Sequence, residues 1–81
     1  MTDFDQTAFG KVLFQLRKQK RLSQETLSGL AGISRGCYRM LELGRSQPSL
    51  KIFWSLADVL GIPPTELMEM VQKKAEEQAL N

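Results

Sequence analysis

Residues 22–44 read Leu22-Ser-Gln-Glu-Thr-Leu-Ser-Gly-Leu-Ala-Gly32-Ile-Ser-Arg-Gly-Cys-Tyr-Arg-Met-Leu-Glu-Leu-Gly44. Two serines punctuate the stretch. A serine hydroxyl accepts from a backbone N–H that the first helical turn leaves without a partner. Ser23 therefore caps a short helix over Gln24–Ala31, and Ser34 a second over Arg35–Leu43. Gly32 can take the left-handed conformation that closes the first helix, and Gly44 ends the second. Only Ala31-Gly32-Ile33-Ser34 joins them, with Ile33 placed to plug the turn inward. Such a pair is either a helix-turn-helix, which holds its second helix outward, or an ordinary helical hairpin.

The flanking sequence continues the helical pattern. Phe9, Leu13 and Leu16 recur at i, i+4 and i+7 and predict a helix over Gln6–Lys20. In the second helix Leu27, Leu30 and Ala31 are the expected inward residues. Gly44-Arg-Ser-Gln-Pro-Ser49 reads as a loop, after which Ser49 caps a helix over Leu50–Leu60 that Gly61 stops. Pro63 and Pro64 belong at a first turn, so a fifth helix starts there and runs over about residues 64–79, its Gln/Glu/Lys-rich end expected to fray. No stretch alternates apolar and polar residues as a strand does. The expected fold class is all-α: five helices in one compact domain over residues 1–81.

Composition narrows the function. The chain has 81 residues, 42% of them apolar and 25% charged, which suits one modest core rather than a two-domain enzyme or a disordered tail. It has no histidine, and Cys37 is its single cysteine, so an intrachain disulfide, a Cys/His zinc site and a histidine general base are all excluded. There is no glycine-rich phosphate loop either. The chain reads as a non-enzyme needing no metal or other cofactor, cytoplasmic, and without a membrane span. Its net charge of +2 hides an uneven distribution. Residues 11–51 carry nine of the basic residues against Glu25 and Glu42, whereas both ends are net acidic. One side of the molecule is expected to meet a polyanion.

At about 100° per residue the third helix gathers Cys37, Tyr38 and Leu41 on one side and Arg35, Gly36, Arg39, Met40 and Leu43 on the other. Cys37 is thus expected to be a buried, structural thiol. Arg35 and Arg39 point the same way, and two arginines on an exposed helix can each form paired hydrogen bonds to guanine O6 and N7 in a major groove. The alternative for them is plain solvated charge. Gly36 costs ~1 kcal/mol against alanine within a helix; a use for it is close approach of the backbone to DNA, and the alternative is a helix start that tolerates glycine.

Phe9-Gly10…Leu13…Leu16-Arg17, Leu22-Ser23-Gln24-Glu25-Thr26-Leu27, Ala31-Gly32-Ile33-Ser34, Tyr38…Leu41-Glu42…Gly44 and Pro48-Ser49-Leu50…Leu56-Ala57…Leu60-Gly61 follow one another without a gap. In that order and spacing, over about residues 9–70, they closely resemble the phage repressor and Cro type helix-turn-helix family, also called the xenobiotic-response-element type. The resemblance implies a lambda-repressor-like five-helix domain that binds double-stranded DNA as a homodimer, with residues 34–43 as its recognition helix. It implies that Gln24 contacts a phosphate and braces the recognition helix, and that Ser34 caps that helix beside the DNA backbone. It further implies that Arg35, Gly36, Arg39 and Met40 face bases or adjacent phosphates, that Arg45 and Ser46 contact the backbone, and that Arg17 and Glu42 form an internal ion pair. The chain departs from the family pattern at Ser28, usually alanine, and at Leu30 and Leu43, usually polar.

The resemblance implies a fourth-helix core of Leu50, Phe53, Leu56, Ala57 and Leu60, which leaves Ile52, Trp54 and Val59 over. We expect a twofold interface from Ile52, Val59, Pro63 and Leu67. Packing of the surplus against Phe4, Val12 and Phe14 of the same chain is the alternative. The expected function is a sequence-specific regulator of transcription on an operator of two half-sites, a restriction–modification controller or a phage-type repressor, with RNA polymerase as a possible partner. With no further domain expected, its regulation would come from dimerisation and cooperative operator filling. The competing reading is the antitoxin of a toxin–antitoxin pair, which binds both DNA and a toxin protein.

Overall fold

The computed structural model describes residues 4–80; Asp3, one of the two acids expected at the amino end, lies outside them. Among these residues there are five helices and no strand: α1 (Gln6–Gln19), α2 (Gln24–Ala31), α3 (Arg35–Glu42), α4 (Leu50–Val59) and α5 (Pro64–Ala79). The serine caps form where their spacing places them. Ser23, Ser34 and Ser49 accept from the backbone N–H groups of Thr26, Cys37 and Ile52. Gly32, Gly44 and Gly61 all take positive φ at the helix ends, between 74° and 77°. Asp5 caps α1 through Oδ1, while its Oδ2 accepts from Gln78 near the other end of the chain. The carboxyl end of α5 is thus tied to the start of α1 rather than left without a partner.

The core is a layer of Phe9, Val12, Leu13, Leu16, Leu27, Tyr38, Leu41, Phe53, Leu56, Leu60, Leu67 and Val71. The amino-terminal helix is the hub, packing against both α3 and α5. Gly10 allows the α1–α3 approach: a Cβ there would lie 2.5 Å from the carbonyl oxygen of Glu42. Ser28, where the resemblance leads one to expect alanine, is buried and satisfies its hydroxyl on the carbonyl of Glu25.

Four expectations are corrected. Leu30 and Leu50 are not core residues; they are 64% and 73% exposed. Both lie at the edge of their helix's apolar arc, where no neighbouring helix reaches over them. Cys37 is also exposed, because α1 and α2 cover Tyr38, Leu41 and the Glu42 side chain of the eight-residue α3 and leave Cys37 outside. Leu67 is completely buried in the chain's own core and so has no surface to offer a second copy. Among the described residues no helix is long and apolar enough to cross a membrane.

Candidate nucleic-acid interface

The site is organised around one carboxylate. Glu42, at the last turn of α3, is nearly buried and accepts four hydrogen bonds. Arg17 of α1 grips it through Nη2 to Oε1 and Nε to Oε2, both at 2.9 Å. Gln24, the first residue of α2, donates its Nε2 to Oε1 at 3.1 Å, and Tyr38 donates its hydroxyl to Oε2 at 2.6 Å. Two bonds on each oxygen match the acceptor capacity of an ionised carboxylate. Arg17 spends Nη1 on the carbonyl of Leu22 and so also holds the α1–α2 connection. Three helices and one loop meet on a single charge.

The electrostatics follow from that geometry. Burial pushes the Glu42 carboxyl up, but the hydrogen bonds from Arg17, Tyr38 and Gln24 outweigh it, and its pKa falls below the ordinary value. Burial first, and the Glu42 carboxylate second, push the Tyr38 hydroxyl well above the ordinary tyrosine range. The hydrogen bond to Glu42 raises the Arg17 guanidinium. Both members of the pair therefore stay charged at neutral pH.

This clasp sets where the other expected residues point. Arg35, Gly36, Arg39 and Met40 are all exposed on the outer face of α3, opposite Tyr38 and Leu41. Gln24 is half-buried, its amide committed to Glu42 by one N–H and left with the other. Ser34 faces solvent and caps the helix. In the following loop Arg45 is exposed and Ser46 half-buried. That loop is pinned from both sides: Arg45 N–H donates to the Met40 carbonyl, and the Gln6 amide donates to the Gly44 carbonyl. Of the residues expected at a twofold interface, Ile52 and Val59 are half-buried at the core's margin and Pro63 is exposed, and none of the three lines the groove between α1 and α3. Leu67, as above, does not join them.

The outer face also includes residues the sequence reading missed. An open groove of about 870 Å³ runs between α1 and α3, lined by Lys11, Phe14 and Gln15 as well as by Arg35, Arg39 and Leu43. Phe14 is exposed, with the Lys18 ammonium 5.7 Å and the Arg17 guanidinium carbon 5.6 Å from its ring centre. The signal was present: Lys11, Phe14 and Lys18 share the face of α1 opposite Phe9, Leu13 and Leu16. What was needed was the knowledge that α1 lies beside the outer face of α3. The groove joins arginines, lysines and an aromatic ring on one surface, which can neutralise phosphates and contact base edges together.

Comparison with known proteins points the same way. A family model described as helix-turn-helix matches residues 13–67. The HTH-type transcriptional regulator y4dJ of Sinorhizobium fredii is 34% identical over 59 residues, 73% of this chain and 77% of its own length. The SPbeta prophage-derived HTH-type transcriptional regulator YonR of Bacillus subtilis is 33% identical over 61 residues, 75% of this chain but 56% of its own length. The chain thus spans only about half of that regulator. The crystal structure of the restriction–modification controller protein C.AhdI from Aeromonas hydrophila superposes with a TM-score of 0.75 at 43% identity, covering 78% of this chain and 96% of the controller. The clp gene regulator ClgR of Corynebacterium glutamicum shares the fold, with a TM-score of 0.89 at 23% identity over 96% of this chain and 83% of its own.

Proposed function

Because the chain belongs to the helix-turn-helix family of Cro/C1-type DNA-binding domains, we propose that it is a sequence-specific regulator of transcription binding operator DNA as a homodimer. The observation that carries this reading is the clasp on Glu42, which holds α3 so that Arg35, Gly36, Arg39 and Met40 all face outward. With α3 in a major groove, Arg35 and Arg39 reach guanine edges, while Gln24, Ser34, Arg45 and Ser46 contact the sugar–phosphate backbone. The positive end of the α2 dipole strengthens the phosphate contact at Gln24. The likeness to C.AhdI favours the restriction–modification controller among the regulators of this family.

Dimerisation follows from what the core leaves over. Ile52 and Val59 share one flank of α4, next to Pro63 at the start of α5, and together they offer an apolar, self-complementary surface. The twofold arrangement sets two recognition helices about 34 Å apart, one turn of DNA. A selection from a random duplex library at ~150 mM salt tests the whole reading. It should enrich a motif of two related half-sites about one helical turn apart. Enrichment of nothing, with only salt-sensitive weak binding, would overturn it. Light scattering should give twice the 9.2 kDa chain mass at micromolar concentration, and Val59→Asp should return the monomer.

One observation favours a second reading, the antitoxin of a toxin–antitoxin pair. Leu50 and Trp54, 73% and 60% exposed, stand about 140° or more around α4 from Ile52 and Val59, too far to share one flat interface with them. A protein partner seated there would explain them. Co-purification of a stoichiometric small protein, lost in Trp54→Ala, would support that reading; a clean dimer without one argues against it.

A further inference from the structure

We infer that the Gly36–Met40 row of the recognition helix seats the 5-methyl group of a thymine, so that one base of each half-site is read by apolar contact and not by a hydrogen bond. This rests on the operator-binding reading above. The outer face of α3 carries two parallel rows. Arg35 and Arg39, four residues apart, present charged donors. Gly36, Met40 and Leu43, at i, i+4 and i+7, present no strong hydrogen-bonding group at all. Met40 is 39% and Leu43 49% exposed, while the core draws only on Tyr38 and Leu41 from this helix.

Gly36, like Gly29 of α2, differs from the glycines that the fold itself demands, and of the two only Gly36 lies on the outer face of α3. Gly10 is demanded by the α1–α3 contact and Gly44 by its positive φ. At Gly36 a Cβ would meet no heavy atom within 4 Å among the described residues, and its φ is not in the left-handed region. Nothing within the fold calls for glycine there, although it weakens the helix. Its use therefore lies outside the chain, in letting the backbone come close to whatever α3 touches. One turn on, Met40 supplies a flexible, polarisable side chain that adapts to an apolar target. In a major groove the apolar group offered by an unmodified base edge is the thymine 5-methyl; guanine, adenine and cytosine offer polar atoms that Met40 would leave without partners. A 5-methylcytosine carries the same methyl, so the test uses synthetic unmethylated duplexes.

The operator obtained by selection is remade with deoxyuridine in place of thymine, one position at a time in both half-sites, and binding is followed by fluorescence anisotropy. At one thymine position, loss of the two methyl groups should weaken binding about ten- to twentyfold, what one buried methyl per half-site is worth. Met40→Ala should bind thymine and uracil duplexes alike, whereas Arg35→Ala should bind more weakly yet keep the preference. Gly36→Ala, whose added methyl holds the backbone away, should fold as the parent does and lose the preference. An operator whose thymines all tolerate uracil overturns the inference alone, as does a Met40→Ala or Gly36→Ala protein that keeps the preference. A selection that enriches no operator overturns the underlying reading and this one with it.

Discussion

Among the described residues, no side chain takes part in more hydrogen bonds than Glu42. Its four hydrogen bonds come from Arg17, Gln24 and Tyr38, two to each oxygen. Tyr38→Phe keeps the ring in the core but leaves one acceptor position on a desolvated carboxylate empty, which should cost ~1.5–3 kcal/mol in urea unfolding. Removing Arg17 strands the charge and should cost more, ~3–5 kcal/mol. The same network sets the pH limits. Glu42 has its pKa lowered by folding, so its contribution is complete above its unfolded value of 4.5 and is lost as pH falls through the folded one. Tyr38 has its pKa raised, so its contribution is complete below 10.0 and declines as pH rises beyond that. Tyr38 is the chain's only tyrosine, so the tyrosinate absorbance should appear together with alkaline unfolding and not at the ordinary tyrosine value. At the exposed Cys37 a thiol reagent should react in the native state without unfolding; protection from labelling would contradict the structure.

At the scale of the element, α3 is an eight-residue helix of low intrinsic stability, held by its cap and by its neighbours. Ser34→Ala removes the cap bond to Cys37 N–H and should cost ~1 kcal/mol. Gly36→Ala should do the opposite, raising stability by ~0.5–1 kcal/mol because the new methyl meets open space. A protein that becomes more stable while its operator affinity falls would separate the needs of the helix from those of its reading face. Chemical denaturation measures the first and anisotropy the second. Much of this element was legible in sequence, since the serine caps, Gly44 and the Arg35/Arg39 spacing all act between near neighbours. The bond from Tyr38 to Glu42 also spans only one turn, but it was hidden, because what aims the hydroxyl there is burial between helices.

At the scale of the molecule, basic side chains from several helices gather in one groove. Lys11 of α1, Arg35 and Arg39 of α3 and Lys74 of α5 line it, and five of the acids lie from Asp58 onward. Binding to DNA should then weaken steeply with salt, by a slope near −0.9 in log–log form for each phosphate neutralised. Arg45→Ala should weaken all sequences alike and lower that slope by about one; a loss confined to the operator would mean that Arg45 reads bases. On α4, Val59→Asp should abolish the dimer while Trp54→Ala leaves it intact, as judged by light scattering. The reverse result would move the twofold axis to the other flank of α4.

What the sequence determined by itself lay at short range: five helices, their serine caps and glycine stops, the turn at Gly32, and the row of Arg35, Gly36, Arg39 and Met40 on α3. Capping bonds and helical periodicity join residues within one or two turns, so they survive the absence of tertiary information. The pairing of Arg17 with Glu42, 25 residues apart, was legible only through family resemblance. Tertiary structure decided which flank of each helix is covered. Leu30, Leu50 and Cys37 were each expected inside yet stayed exposed, and Leu67 looked available yet is wholly enclosed. A helical wheel ranks positions around one axis, but burial depends on where a second helix crosses it, and that crossing is set by contacts such as Gly10 against the Glu42 carbonyl, far apart along the chain.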